Sequence, residues 1–201
     1  MKFIGITGGI GAGKSEILRY IGRHYKCEIY LADEVAHLVK RAGTECFQKL
    51  VALCGRKIVG ADGEIDKTAL ADRIFADPVL LDGVNAIVHP AVQDFLLRKY
   101  EEARENNEVE LFFVEAALLI ETGYGRYVDE MWYVYADRSV RKKRLSESRG
   151  YSLKKIENIM EKQLSEEEFR RNCDFVIDNS KDLESAFRAI DKRLEAYTWL
   201  E

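Results

Sequence analysis

This chain is constrained most by eight residues near its amino terminus, GGIGAGKS at positions 8–15. They fit the pattern G-x-x-x-x-G-K-[ST], in which glycines permit backbone conformations closed to residues with a Cβ and turn successive N–H groups toward one point. An apolar run precedes the motif, and a helix that begins near Gly13 would direct the positive end of its dipole to the same point. The pattern therefore predicts a loop that holds the phosphates of ATP or a close relative.

The last two residues of this motif have distinct expected roles. Lys14 is expected to reach the β- and γ-phosphates, and the Ser15 hydroxyl is expected to be a ligand of Mg²⁺. The residues expected to contact the nucleotide in this segment are Gly9, Gly11, Ala12, Gly13, Lys14, Ser15 and Glu16.

Five apolar runs separated by helix-length stretches predict the fold class. They are Lys2 to Thr7, Glu28 to Ala32, Val109 to Ala116, Glu130 to Ala136 and Asp174 to Asp178. Near-continuous apolar character suits strands buried on both faces, and strands that alternate with helices form parallel sheets. The prediction is an α/β fold with a doubly wound, five-stranded parallel sheet.

Two regions between the strands are predicted to be helical. The first, residues 34–107, is interpreted as an insertion with helices over Asp66 to Phe75 and Pro90 to Glu105, and Asp77-Pro78 marks a break between them. The second, residues 138–171, is highly charged, with an interruption at Gly150 and a new helix cap at Ser152. We interpret it as a movable lid.

Composition excludes several classes of protein. The chain of 201 residues has a net charge of -4, which argues against a protein that coats nucleic acid. The longest apolar stretch, 111–120, is interrupted by Glu115 and is too short to span a bilayer, and the first residues lack the features of a signal peptide. The four cysteines show no paired spacing and are expected to be buried thiols. We expect a cytoplasmic protein, a monomer or weak homo-oligomer, that binds neither nucleic acid nor membrane.

Carboxylates at two predicted strand ends are candidates for chemistry. Asp33 follows the second strand, where ligands meet such sheets, and is either a general base or a cap of a helix that begins at Glu34. Glu115 closes the apolar run LFFV at 111–114 and has either a metal or active-site role or the role of a polar residue that leaves the core. A regulatory GTPase would need N-K-x-D and D-x-x-G motifs, and neither is found.

Six of the twelve residues from Arg138 to Arg149 are basic. Most such runs are solvated helix faces. In helical spacing, however, Arg141, Arg144 and Ser148 share one side while Lys142 and Lys143 point elsewhere. One or two of these arginines suffice to bind a triphosphate. His89, before Pro90, is expected to cap a helix or pack in a core.

Several motifs together resemble those of the dephospho-coenzyme A kinase family, over nearly the whole chain. The matching segments are ITGGIGAGKS at 6–15, Ala32-Asp33 with Ala36, RIFADP at 73–78, Asn85 with His89-Pro90, Leu118-Leu119 with Glu121, Arg144, Gln163 and VIDN at 176–179. The 73–78 and His-Pro signatures are more specific than the phosphate loop, which many NTPases share.

The resemblance implies a P-loop kinase that transfers the γ-phosphate of ATP to the ribose 3′-hydroxyl of dephospho-coenzyme A, with Mg²⁺. It implies a core (1–33, 108–137 and 172–201), a helical coenzyme A-binding region (34–107) and a lid (138–171). Asp33 would be the base and Arg144 the lid arginine. Asn179 would bind the cofactor, and the substrate-binding candidates are Arg73, His89, Glu115 and Leu118.

The chain departs from the family pattern at four places. Leu31 stands where the family often has an Asp, Glu16 where Thr is common, Ala117 where Pro is common, and Ser148 where Arg is frequent. Either Arg149 binds the triphosphate in place of the family arginine that is missing at Ser148, or Arg141 and Arg144 together bind it. The rival hypotheses are a P-loop kinase for a nucleoside or nucleotide, and an ATP-binding module without catalysis.

Overall fold

Five apolar segments form the strands of one sheet in a computed structural model that describes residues 1–197. The strands are β1 (Lys2–Thr7), β2 (Cys27–Leu31), β3 (Leu111–Glu115), β4 (Glu130–Tyr135) and β5 (Phe175–Asp178). Their order in the sheet is β2-β3-β1-β4-β5, and β1 pairs in parallel with both β3 and β4. The predicted α/β class and parallel five-stranded sheet are confirmed.

The helices lie between the strands, as the alternating pattern predicts. They are α1 (Lys14–His24), α2 (Ala32–Val39), α3 (Glu45–Cys54), α4 (Lys67–Phe75), α5 (Pro78–Asn106), α6 (Arg138–Arg149), α7 (Leu153–Glu161), α8 (Glu166–Asn172) and α9 (Leu183–Glu195). Short 3₁₀ turns occupy Arg56–Ile58 and Tyr124–Arg126.

The chain divides into two compact units. One comprises residues 1–29 and the described residues from 107 onward, and the other comprises Tyr30–Asn106. The core of the first unit contains the aromatic rings of the sheet, where Trp132 lies fully buried with its centroid 5.7 Å from that of Phe113 and 5.1 Å from that of Phe175. The indole N–H donates to the Glu130 carboxylate at 2.9 Å, so this large side chain is buried with its polar atom paired.

The second unit has its own small core. Buried side chains from α3, α4, α5 and the first 3₁₀ turn meet there: Cys46, Leu50, Cys54, Ile58, Leu70 and Val84. Asp66 caps α4, since its carboxylate accepts hydrogen bonds from the N–H groups of Thr68 and Ala69. The predicted helix over Asp66 to Phe75 and the break at Asp77-Pro78 are both confirmed.

Two helix boundaries differ from the prediction. Pro90 does not begin a helix but lies inside α5, which continues because buried residues on both sides of the proline, Val84 and Val92, pack in the second unit. His89 is exposed in the middle of this helix, so the expectation of a capping or core role for it was wrong. Helix α2 begins at Ala32, directly after the last residue of β2. The second strand therefore ends one residue earlier than predicted.

The remaining strand boundaries shift by one or two residues. The predicted third strand over Val109 to Ala116 is shorter, at Leu111–Glu115, and the other two lose one residue each, because the flanking residues leave the sheet. All four cysteine thiols are free, two of them buried and two half-buried. Within residues 1–197, no helix is both long and apolar enough to cross a membrane.

Candidate phosphate-binding site

The segment between β1 and α1 has the conformation that its glycines predict. Gly13 has φ 97°, in the left-handed region, and directly precedes α1. An added Cβ at Gly13 would lie 2.3 Å from Nδ2 of Asn179. Glycine is therefore required here both by backbone conformation and by the close approach of the asparagine.

Gly9 lies against the side chain of Arg141. A Cβ built at Gly9 would lie 2.2 Å from a terminal guanidinium nitrogen of Arg141 and 2.5 Å from its central carbon. The arginine side chain therefore lies directly against the backbone of the loop, where no side chain fits. Burial lowers the pKa of Arg141, although a guanidinium remains charged.

Lys14 lies at the start of α1 and makes two contacts. Its Nζ donates to the carbonyl oxygen of Gly8 at 2.8 Å and lies 3.4 Å from Oε1 of Glu115. Both side chains are mostly shielded from solvent, at 14% and 16% exposure. Glu115 ends β3, beside Ile6 of β1, so the sheet itself positions the carboxylate next to the loop. Gly8 and Glu115 together hold the Lys14 ammonium group beside the loop.

Two arginines of α6 contact the loop, as their helical spacing predicts. The Nε of Arg141 donates to the carbonyl oxygen of Ile10 at 2.8 Å, and Arg144 donates to the carbonyl oxygens of Ala12 at 3.3 Å and Asn179 at 2.9 Å. Lys142 points elsewhere and pairs with Glu157 of α7 at 2.7 Å. One face of α6 therefore contacts the loop while the neighbouring lysine contacts the next helix.

Asn179 is almost fully buried directly after β5. Its Nδ2 donates to the carbonyl oxygen of Ala12 at 2.8 Å, and its backbone N–H donates to the backbone carbonyl oxygen of Tyr135 at 2.8 Å. Its Oδ1, however, is buried without a hydrogen-bond partner among residues 1–197. Because an unpaired buried acceptor costs about 1–3 kcal/mol, this atom is suited to receive a donor from a bound molecule.

The side chains of the other predicted site residues in the first unit form no hydrogen bond or ion pair with this group in the described chain. Ser15 and Glu16 are exposed in the first turn of α1, where Glu16 pairs with Arg19 and the Ser15 hydroxyl forms no hydrogen bond within the described chain. Leu118 is 51% exposed after β3. Arg149, at the end of α6, is exposed, and its side chain makes no ion pair or hydrogen bond with any described residue.

Three predicted residues belong to the second unit: Asp33, Arg73 and His89. Each is exposed. Asp33 does not cap α2, because the helix begins before it and the residue at the cap position is Leu31; that alternative was wrong. Its carboxylate forms no hydrogen bond or ion pair among the residues that the structure describes, which leaves its oxygens available to a ligand.

Gln163 is a contact of the loop that sequence reasoning did not place in the site. It lies between α7 and α8, and its Oε1 accepts hydrogen bonds from the N–H of Ile10 at 3.2 Å and from Arg141. Gln163 and Ile10 are 153 residues apart in the chain, and only the interval it shares with the resembled family singled it out.

Comparisons with known proteins agree on one family. The family described as dephospho-CoA kinase matches residues 2–185. A dephospho-CoA kinase of Geobacter sulfurreducens is 36% identical over 192 residues, which cover 96% of both chains. A crystal structure of a Thermus thermophilus protein is 30% identical with a TM-score of 0.79 and covers 97% of both chains. The dephospho-CoA kinase of Campylobacter jejuni, 20% identical with a TM-score of 0.72 over 96% of this chain and 95% of its own, shares the fold.

Replacing Gly13 tests the geometry of the loop. We expect Gly13→Ala to lower the free energy of unfolding by about 2 kcal/mol or more, because a left-handed φ strains a residue with a Cβ and the Cβ overlaps Asn179. Gly150→Ala is the matched control, since Gly150 also has a left-handed φ of 61° but nothing lies within 4 Å of its Cβ position. The control should lose only about 1 kcal/mol.

Urea denaturation measures the free energy of unfolding of both variants. Calorimetric titration measures their affinity for ATP. Gly13→Ala should bind ATP at least about tenfold more weakly, a loss of about 1.4 kcal/mol, whereas Gly150→Ala should bind it normally. Equal ATP affinity in the two variants would mean that this loop is not the nucleotide site.

Proposed function

This chain belongs to the dephospho-CoA kinase family, and we propose that it phosphorylates the ribose 3′-hydroxyl of dephospho-coenzyme A through Asp33, Lys14 and Arg144. The products are coenzyme A and ADP, and the reaction is the final step of coenzyme A synthesis. Kinases of this family use ATP as the phosphoryl donor. The observation that carries the proposal is the family match over residues 2–185 together with the loop geometry at residues 8–15.

The ATP phosphates are bound by the loop. The N–H groups of Gly11 and Gly13 have no partner among the described residues, and these free donors, together with the start of α1, form an anion site. Lys14 supplies a charge at the β- and γ-phosphates. A phosphate that binds there competes for the Lys14 ammonium group with the carbonyl oxygen of Gly8 and with Glu115.

A divalent cation fits the oxygen atoms present. The Ser15 hydroxyl is exposed and unpaired among the described residues, and Glu115 offers a carboxylate at the end of β3. Hydroxyl and carboxylate oxygens suit Mg²⁺, so we propose that Ser15 holds the ion directly and Glu115 through water. Bound Mg²⁺ would neutralise charge on the transferring phosphoryl group.

Asp33 is proposed as the general base. It follows β2 by two residues, and the carboxyl ends of parallel strands are where ligands meet sheets of this kind. Its exposed carboxylate, with no protein hydrogen bond in the described chain, is available to orient the acceptor hydroxyl and to accept its proton as the new P–O bond forms. No second carboxylate precedes it, because residue 31 is leucine.

Arg144 and Asn179 are proposed to act on the nucleotide from the other side of the loop. The guanidinium group of Arg144 carries its charge beside Ala12 and can neutralise part of the triphosphate charge. The unpartnered Oδ1 of Asn179 is proposed to accept a hydrogen bond from the nucleotide. We propose Arg73, His89 and Leu118, all exposed, as acceptor-binding residues.

An acceptor panel tests the reaction. Incubation of the protein with ATP, Mg²⁺ and dephospho-coenzyme A, adenosine or AMP in parallel should give ADP with the first acceptor only. The expected product has one added phosphate on the ribose 3′ position, as identified by mass spectrometry. Preferential phosphorylation of adenosine or AMP would support the rival nucleoside or nucleotide kinase, and ATP binding without transfer would support the binding module.

A charge-neutralising variant tests the base. We expect Asp33→Asn to retain ATP affinity while kcat falls by ~10²-fold or more, because the amide cannot accept the hydroxyl proton. Glu34→Gln is the matched control, since Glu34 is the next residue, also exposed in the first turn of α2, and its loss should change kcat less than about twofold. If the two variants have similar turnover, Asp33 is not the base.

A further inference from the structure

The outer side of the phosphate loop, away from its free N–H groups, is held by side chains of α6 and of the α7–α8 connection. Both polar groups of the Ile10 backbone are occupied: its carbonyl oxygen accepts from Nε of Arg141 at 2.8 Å, and its N–H donates to Oε1 of Gln163 at 3.2 Å. A terminal nitrogen of Arg141 donates to the same Oε1 atom. The three residues therefore form a closed set of hydrogen bonds.

This set fixes the direction of a neighbouring N–H group. A trans peptide is planar, and its C=O and N–H bonds point in opposite directions. Because the Ile10 carbonyl points to Arg141, the N–H of Gly11 points away from that arginine. The same holds for the next peptide but one, where Asn179 and Arg144 hold the carbonyl oxygen of Ala12 and the N–H of Gly13 points away from them.

Both Arg141 and Arg144 donate to carbonyl groups of the loop, but only Arg141 also binds Gln163 and lies against the backbone of Gly9. Its guanidinium group rests against the backbone of Gly9 and directs two of its nitrogens to Ile10 and Gln163. These bonds require the planar fork of an arginine, since one ammonium nitrogen cannot occupy both donor positions at once. The guanidinium group of Arg141 is half-buried, and its N–H groups bind the outer side of the loop and Gln163.

We propose that Arg141 and Gln163 are positioning residues that set the amide directions of the phosphate loop and thereby its affinity for ATP. The proposal rests on the proposed function in one respect, that the loop binds the phosphates of ATP. It assigns the triphosphate charge to Lys14 and Arg144 and gives Arg141 a role that a lysine cannot perform. Gln163 connects the helices α7 and α8 to the same loop.

The test is a double-mutant cycle of Arg141→Lys and Gln163→Met, with kcat, KM for ATP and KM for dephospho-coenzyme A measured for each variant. Each single variant should raise KM for ATP about tenfold, the effect of one or two lost hydrogen bonds to a charged group. The double variant should also show only about tenfold, because either change opens the same set of bonds. KM for dephospho-coenzyme A and kcat at saturating ATP should stay within about twofold.

Lys142→Met is the matched control, because it removes the adjacent cation of α6, which pairs with Glu157 and not with the loop. It should leave KM for ATP unchanged. A general loss of folded protein would lower kcat without raising KM for ATP, and thermal unfolding of each variant measures that loss separately.

Two results would overturn the proposal. One is a normal KM for ATP in Arg141→Lys, which would show that only the charge matters. The other is an additive, about hundredfold increase in the double variant, which would show that the two residues act separately. Failure of the wild-type protein to bind ATP would instead contradict the proposed function and would be seen before any variant is compared.

Discussion

The conformation of the phosphate loop depends on the hydrogen bonds that hold two of its carbonyl groups. Glycine has the largest backbone entropy to lose on folding, so a loop with four glycines between positions 8 and 13 has no fixed shape of its own. Arg141 at Ile10, and Asn179 with Arg144 at Ala12, supply that shape. Donors fixed before a ligand arrives stabilise developing charge without reorganisation at the moment of reaction, which is why such a loop suits phosphoryl transfer.

The order of strands explains how these side chains reach the loop. Strand β1 leads into the loop, and its neighbours are β3 on one side and β4 on the other, with β5 beyond β4. Strand β3 ends in Glu115, which meets Lys14; α6 follows β4 and supplies both arginines; and Asn179 follows β5. A parallel sheet places all these strand ends at one edge, so neighbouring strands deliver the lysine's partner and the loop's supports to the same place.

Much of this arrangement could be predicted from sequence because it is local. The phosphate motif, the strand before it and the cap at Asp66 each depend on a few adjacent residues, and all three are present in the structure. The predicted sharing of one helix face by Arg141 and Arg144 also follows from local geometry.

Other features depend on packing and could not be found in this way. Pro90 lies within a helix because buried residues on either side continue it, and His89 is therefore exposed rather than at a helix end. Asp33 is inside a helix that begins one residue after a strand, so its expected capping role fails. The contact between Gln163 and Ile10 joins residues 153 positions apart, and no pattern of residue types predicts such a pairing. Arg141 contacts the loop while Arg149 is exposed, and this difference likewise depends on which part of α6 packs against the loop.

The most direct measurement of the central claim is the change in backbone amide proton chemical shifts across residues 8–15 when ATP and Mg²⁺ are added to isotope-labelled protein. We expect large downfield shifts for Gly11 and Gly13, whose N–H groups have no partner among the described residues and can bind phosphate, and a small shift for Ile10, whose N–H is already bound to Gln163. A shift of Ile10 as large as those of the two glycines, or no shift of the glycines, would contradict the central claim.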